Sequence, residues 1–253
     1  MTRFARKILV LSFVFFPILV AAGPALGQLT STNWSGYVVV ANGVTAVSAS
    51  WVIPAISSCA TTVGGTMATV SQGISVWIGF DGYANNQIPE QIGTNSFCYN
   101  GSPWYYAWEE DPTTGAGNQN AAIPAFKTQE IYPGDHITAS ITYLGNNQFQ
   151  MKIADTSVSA SRTYTVLIPN AGRKSAEWIV EAFTNSETQS EVSLPTFRPI
   201  TISDCTASVN NVAGSITQNG GQPLDMVSNN GNVLVAPQNL NQAGTSFQIA
   251  LAG

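Results

Sequence analysis

A single histidine, His136, serves the whole chain of 253 residues. A Ser-His-Asp or Cys-His site needs a positioned imidazole, and zinc sites commonly use two or three. His136 follows Pro133-Gly134-Asp135 and opens a strand with one wet face, so it reads as a surface residue. Charge is equally scarce. Asp, Glu, Lys and Arg make up 9% of the chain, against roughly 25% in ordinary globular proteins. Nine Lys and Arg face fourteen Asp and Glu, which leaves no basic patch for nucleic acid. Cysteine is limited to Cys59, Cys98 and Cys205, with no CxxC pair, so zinc-ribbon and thioredoxin-type motifs have no support. No long stretch beyond the N-terminus carries helical periodicity. Carboxylate chemistry, or no chemistry, is what these absences leave.

The N-terminus is the exception to the polar, uncharged pattern. Arg3, Arg6 and Lys7 precede an apolar run from Ile8 to Ala22, followed by Ala25-Leu26-Gly27. A basic start, a short apolar core and a small-x-small site describe a secretory signal peptide. The run falls short of the ~20 residues a spanning helix needs. Cleavage is expected after Gly27, leaving 28–253 as one domain. Removing the three basic residues takes the formal net charge from −5 to −8. Few basic groups means little positive self-repulsion once carboxylates protonate, which is compatible with low pH. In an exported chain, three cysteines suggest one disulfide and one spare thiol, with three pairings open. Cys59–Cys98 is favoured because it would tie two loops flanking the Trp77 strand.

The remainder reads as β-strands. Ile137, Ala139, Ile141 and Tyr143 alternate with His136, Thr138, Ser140 and Thr142. After Gly145-Asn146-Asn147, Phe149, Met151 and Ile153 alternate with Gln150 and Lys152. This is a hairpin with one wet face. Strands are also expected at 33–40, 44–53, 74–81, 88–93, 103–110 and 201–209. Ser57 to Gly73 and Asp111 to Pro124 read as loops. Many short strands between turns indicate a β-sandwich or barrel.

The most informative strand is Lys174 to Phe183. Side chains alternate on a strand, so Glu177, Ile179, Glu181 and Phe183 share one face and Trp178, Val180 and Ala182 the other. A carboxylate between Ile and Phe is paired, hydrogen-bonded or functional, because burying an unpaired charge is costly. By the same parity Trp77, Gly79 and Asp81 share a face, as do Trp108 and Glu110. Together these residues could line one concave aromatic and acidic wall.

Six segments, in order, carry a resemblance. They are Asn33-Trp34-Ser35-Gly36, Trp77-Ile78-Gly79-Phe80-Asp81-Gly82 and Gln91-Ile92-Gly93, then Ala107-Trp108-Glu109-Glu110, Gly134-Asp135-His136-Ile137 and Ala176 to Phe183. On these the chain resembles the glutamic peptidases, the eqolisin family of secreted acid proteases. The resemblance implies an all-β fold, an antiparallel β-sandwich of two sheets similar to concanavalin A-like lectins. It implies a catalytic Gln and Glu, which fall on Gln91 and Glu181. Substrate-lining positions fall on Trp77, Asp81, Trp108, Glu110 and Phe183. Two departures bear on substrate preference and pH optimum. Asn95 stands where the family has a carboxylate, and the aromatic stretch after Trp108 is shortened.

The chemistry such a pair supports needs no metal and no cofactor. Ionised Glu181 would take a proton from an attacking water and return it to the leaving amine. Gln91 is donor and acceptor at once, so it could orient the water and stabilise the oxyanion. A lone Glu in water titrates at about pH 4.3, suited to acidic conditions. This reading expects Gln91 and Glu181 on neighbouring strands, and Glu177 about 13 Å from the reaction. The substrate is polypeptide, with no nucleic-acid partner, no membrane contact after leader removal, and a monomeric enzyme. A rival reading is a lectin-like glycan-binding module or a glycoside hydrolase. There Trp77, Tyr106 and Trp108 would stack on sugar, and Glu110 with Glu181 would be the carboxylate pair.

Overall fold

The computed structural model describes residues 28–57, 59, 70–83, 90–99, 101–110, 121–122, 131–183 and 193–253. The expected leader, 1–27, lies outside the described residues. Among the described residues, eighteen strands follow in order. They are β1 (Leu29–Ser31), β2 (Trp34–Val40), β3 (Val44–Val52), β4 (Ile56–Ser57), β5 (Val70–Phe80) and β6 (Glu90–Tyr99). Next come β7 (Ser102–Glu110), β8 (Ala121–Ala122), β9 (His136–Gly145), β10 (Gln148–Asp155), β11 (Ala160–Leu167) and β12 (Ser175–Ala182). The last are β13 (Thr196–Phe197), β14 (Ile200–Val209), β15 (Val212–Ser215), β16 (Gln222–Val227), β17 (Val233–Pro237) and β18 (Phe247–Leu251). No helix occurs among the described residues.

Two layers face each other. One is β11-β10-β9-β3-β14 and the other β2-β12-β5-β6-β7-β8. The sandwich expected from the resemblance is present, with one refinement. Hydrogen bonding runs unbroken from one layer to the other through β18-β17-β16, so the layers are one antiparallel ladder folded over. Register shifts in β14 (Ser203/Thr206) and β16 (Met226/Val227) lie on this path. Bulges of this kind bend and twist a strand.

Alternation decides which side chains fill the space between layers. Ile137, Ala139 and Ile141 of β9 and Phe149, Met151 and Ile153 of β10 are buried, as the hairpin pattern predicts. From the facing layer come Ile74, Val76, Ile78 and Phe80 of β5, and Ala176, Trp178, Val180 and Ala182 of β12. Two indoles stitch the layers. Trp178 Nε1 donates to Ser48 O at 2.9 Å, and Trp51 Nε1 donates to Thr94 Oγ1 at 2.9 Å. Buried indole N–H groups normally find such partners.

Cys59 and Cys98 form a disulfide with Cα atoms 5.4 Å apart, the pairing favoured above. Cys205 is a buried free thiol. His136 is exposed, as expected for a surface residue. Two boundaries differ from the sequence reading. β5 begins at Val70, inside the segment read as a loop, and β6 continues to Tyr99 rather than ending at Gly93. The loop-like composition around Val70 to Gly73 is overridden by pairing with the β6 segment that ends at Tyr99.

Candidate active site

The outer face of the second layer collects the polar residues. Register fixes who sits beside whom. One cross-strand row is Trp34, Glu181, Ser75, Asn95 and Tyr106 on β2, β12, β5, β6 and β7. The next is Gly36, Ile179, Trp77, Gly93 and Trp108, and the next Val38, Glu177, Gly79, Gln91 and Glu110. Residues paired across strands point to the same face. Gln91 and Glu181 therefore share a sheet and a face. They are not on neighbouring strands, as expected above: β5 runs between β6 and β12. Nor are they in one row, because β12 is set four residues along.

Trp77 closes that offset. Its Nε1 donates to Glu181 Oε2 at 2.8 Å. Its ring reaches the other way, over Gly79. A Cβ at Gly79 would lie 2.9 Å from Trp77 Cζ3 and 3.2 Å from Gln91 Cβ. One indole thus touches the surroundings of both residues. Glycine is required on two sides of it, since a Cβ at Gly93 would meet Trp77 Cβ at 2.5 Å. Close approach of this sort is a specific use of glycine. Trp34 packs edge-on against Trp77, centroids 4.9 Å apart. Trp77 and Trp108 are buried in a small second cluster with Val38, Ile179 and Leu224. They form the floor of this face rather than an exposed wall.

Two hydrogen bonds of good geometry hold Glu181, with the Trp34 indole N–H close by but not aligned for a third. Asn33 Nδ2 donates to its Oε1 at 3.1 Å, and Ser31 Oγ donates to Asn33 Oδ1 at 3.1 Å, which fixes the amide. Trp77 supplies the second. Burial nevertheless pushes the Glu181 carboxyl up, to about 7. The indole N–H groups of Trp34 and Trp77 and the Asn33 amide pull it down, and the nearby Glu110 pushes it further up. Glu181 keeps partial exposure, so a water can reach it.

Gln91 is 6% exposed, and its Nε2 donates to Glu110 Oε2. Its Oε1 is buried with no partner among the described residues. An amide needs partners for its oxygen and for both hydrogens, so this oxygen is poised to accept one. Burial raises the Glu110 carboxyl, and the Gln91 amide offsets part of that. The Phe183 ring lies across β5, where a Cβ at Gly73 would sit 2.6 Å from it. Asp81 is fully buried at the end of β5 and accepts from the main-chain N–H of Arg173 and Lys174, each at 2.7 Å. It braces the approach to β12 from below and does not line the face.

The sequence reading gave no role to Asn33, Trp34 or Ser75 in this arrangement, and gave Tyr106 one only in the glycan reading. Asn33 and Trp34 were visible only as a matching tetrapeptide. Nothing in spacing tells that a residue before β2 meets Glu181 across 148 positions.

Glu177 differs most from expectation. It occupies the row of Gln91, and it is fully buried. Neither carboxyl oxygen has a hydrogen-bond partner in good geometry among the described residues. Burial raises its pKa well above the ordinary value, with Asp81 and Glu90 adding to the rise. The Ser175 hydroxyl and Tyr83 main chain offset only part. The fold therefore favours the protonated carboxyl of Glu177, whereas unfolded it ionises in the ordinary Glu range. Its contribution to stability is full below that range and is lost as pH rises through the folded value. The slope is at most about 1.4 kcal/mol per pH unit for one group. Denaturant midpoints should fall as pH rises above the ordinary Glu range, and Glu177→Gln should flatten that fall. An equally steep fall in the variant would assign the effect to another group.

The Peptidase A4 family model matches residues 32–248. The fold is similar to scytalido-glutamic peptidase bound to a transition-state analogue inhibitor. That match has a TM-score of 0.70 at 19% identity and covers 88% of this chain and 99% of that one. It is also similar to SCP-B, an eqolisin in complex with the tripeptide Ala-Ile-His. There the TM-score is 0.66 at 20% identity, with the same 88% and 99% covered. A third match is aspergilloglutamic peptidase from Aspergillus niger, TM-score 0.59, 20% identity, covering 72% and 99%. No curated protein sequence matches the chain.

Proposed function

Because the chain belongs to the peptidase A4 family and is thereby a glutamic endopeptidase, we propose that Glu181 and Gln91 are its catalytic pair. The observation that carries this is the Trp77 indole, which bonds Glu181 at one end and lies over Gly79 beside Gln91 at the other. Glu181 is the proton carrier. Ionised, it takes a proton from a water attacking the scissile carbonyl, then delivers it to the leaving amine. Gln91, oriented by Glu110, offers Oε1 to the water and its remaining N–H to the oxyanion. Accessibility selects Glu181 over Glu177: the first is partly exposed and the second sealed. Trp77, Trp108 and Phe183 shape the floor on which an extended peptide lies, and Glu110 acts by holding Gln91. Residues 1–27 act as a leader, and 28–253 work as a secreted monomer. The glycan reading is not favoured by the family.

Two carboxylates set the working range. Glu181 must be ionised to act as base, so its active form shrinks about tenfold per pH unit below its pKa, which lies at about 7. The raised Glu177 carboxyl acts in the opposite sense, since its ionisation as pH rises weakens the fold. The test is hydrolysis of a denatured protein from pH 2 to 8, beside a panel of polysaccharides. Protein should be cleaved and polysaccharide left intact. Activity should survive chelators, serine-directed acylating reagents and thiol alkylation. Activity lost to a chelator and restored by a divalent ion would overturn the mechanism.

A further inference from the structure

The row that contains Glu181 continues across the sheet as Ser75, Asn95 and Tyr106. These three are joined without any charge. Ser75 Oγ donates to Asn95 Oδ1, and Asn95 Nδ2 donates to Tyr106 Oη at 2.7 Å. Ser75 and Asn95 are buried, at 4% and 2% exposure, while Tyr106 is partly exposed. The network fixes direction. The Asn95 amide is held at its oxygen by Ser75, so its N–H points at Tyr106. Accepting from Asn95, Tyr106 still has its own proton to offer, and no described group is shown to accept it. Burial raises the Tyr106 pKa, which keeps that proton in place. The ring below is braced edge-on by Phe97, centroids 5.6 Å apart, and Phe97 meets Phe183 at 5.9 Å. A rigid aromatic body thus carries one polar tip on the catalytic face.

We propose that Tyr106 is a substrate-binding residue whose hydroxyl donates to a main-chain carbonyl of the peptide, distant from the scissile bond. The proposal rests on the peptidase reading of Glu181. Three strand spacings of ~4.8 Å separate the β12 and β7 positions, about 14 Å in all. An extended peptide advances ~3.3 Å per residue, so the carbonyl lies about four residues from the bond cut. An acceptor is selected, since a donor facing the hydroxyl proton would be left unpaired. The Phe97, Phe183 and Tyr106 rings favour apolar substrate side chains beside that carbonyl.

The experiment compares kcat/KM for two peptides with the same scissile sequence. One has two residues on each side of the bond and the other six. Tyr106→Phe should lower the long-to-short ratio about fivefold, mainly through KM, the effect of one neutral hydrogen bond. Asn95→Asp, assayed where the new carboxylate is ionised, turns the Tyr106 proton inward onto residue 95 and should lower the ratio similarly. In the Tyr106→Phe background it should add nothing. A purely structural role for Tyr106 would change both peptides alike and leave the ratio unmoved, which overturns the proposal. A further drop in the ratio of the double variant overturns it too. If the wild type cleaves neither peptide, the peptidase reading fails and this inference with it.

Discussion

Glu181→Gln abolishes turnover at every pH while leaving the folded state and peptide binding in place. The substitution keeps the shape and one acceptor oxygen but removes the group proposed to move protons. Positioned acid–base groups contribute ~10²–10⁴-fold, and here both transfers run through one carboxyl, so the loss lies at the upper end or beyond. The amide retains an oxygen for Trp77 Nε1. One N–H of the new amide must avoid the Asn33 amide donor. Stability at neutral pH should rise, because a carboxyl raised by burial is replaced with a neutral group. Single-turnover assays and inhibitor binding separate the lost chemistry from lost binding. The companion variant is Glu177→Gln, which should keep most activity. A dead Glu177→Gln beside an active Glu181→Gln would move the catalytic role to the row of Gln91.

Gln91→Ala should lower kcat by about 10²–10³-fold, the usual effect of losing one oxyanion donor in a protease. It also frees Glu110, which the Gln91 amide now holds. Gln91→Glu is the sharper variant. It sets a second carboxyl directly against Glu110, and two carboxyls sharing a site cannot both ionise. They titrate as a coupled pair. At acidic pH one proton bridges them and the geometry is kept. As pH rises the pair repels and the site opens. The expected result is a weak enzyme whose pH profile is displaced toward acid. A profile of wild-type shape, merely scaled down, would show that Glu110 does not hold residue 91 in solution.

Much of the arrangement was legible because β-strands have a period of two. Ile137 to Tyr143 and Phe149 to Ile153 gave the hairpin, and the parity of Glu177, Ile179 and Glu181 gave the face proposed as catalytic. What parity does not contain is register. A slip of four residues leaves every side chain on its own face but changes its row. So the sequence assigned Glu181 correctly to the face of Gln91, yet placed Glu177 far from it, when Glu177 shares Gln91's row. Depth is the second missing quantity. Alternation says which way Asp81 and Trp108 point, not that both are covered. The Asn33 contact with Glu181 was illegible for a third reason, since it depends on which strand β2 pairs with, a choice made by the whole ladder.

That choice governs when the site comes into being. β2 lies between β12 and β16, and β1 pairs in parallel with β16. The first strands to leave the ribosome are therefore seated by residues 222–227, which leave it near the end. Contacts this distant in sequence raise contact order and slow folding. Until β16 arrives, β1 and β2 lack one supporting neighbour, and Glu181 has the Trp77 donor but not a settled Asn33. A chain still short of residues 222–227 thus holds β5, β6 and β12 but not the finished surroundings of Glu181.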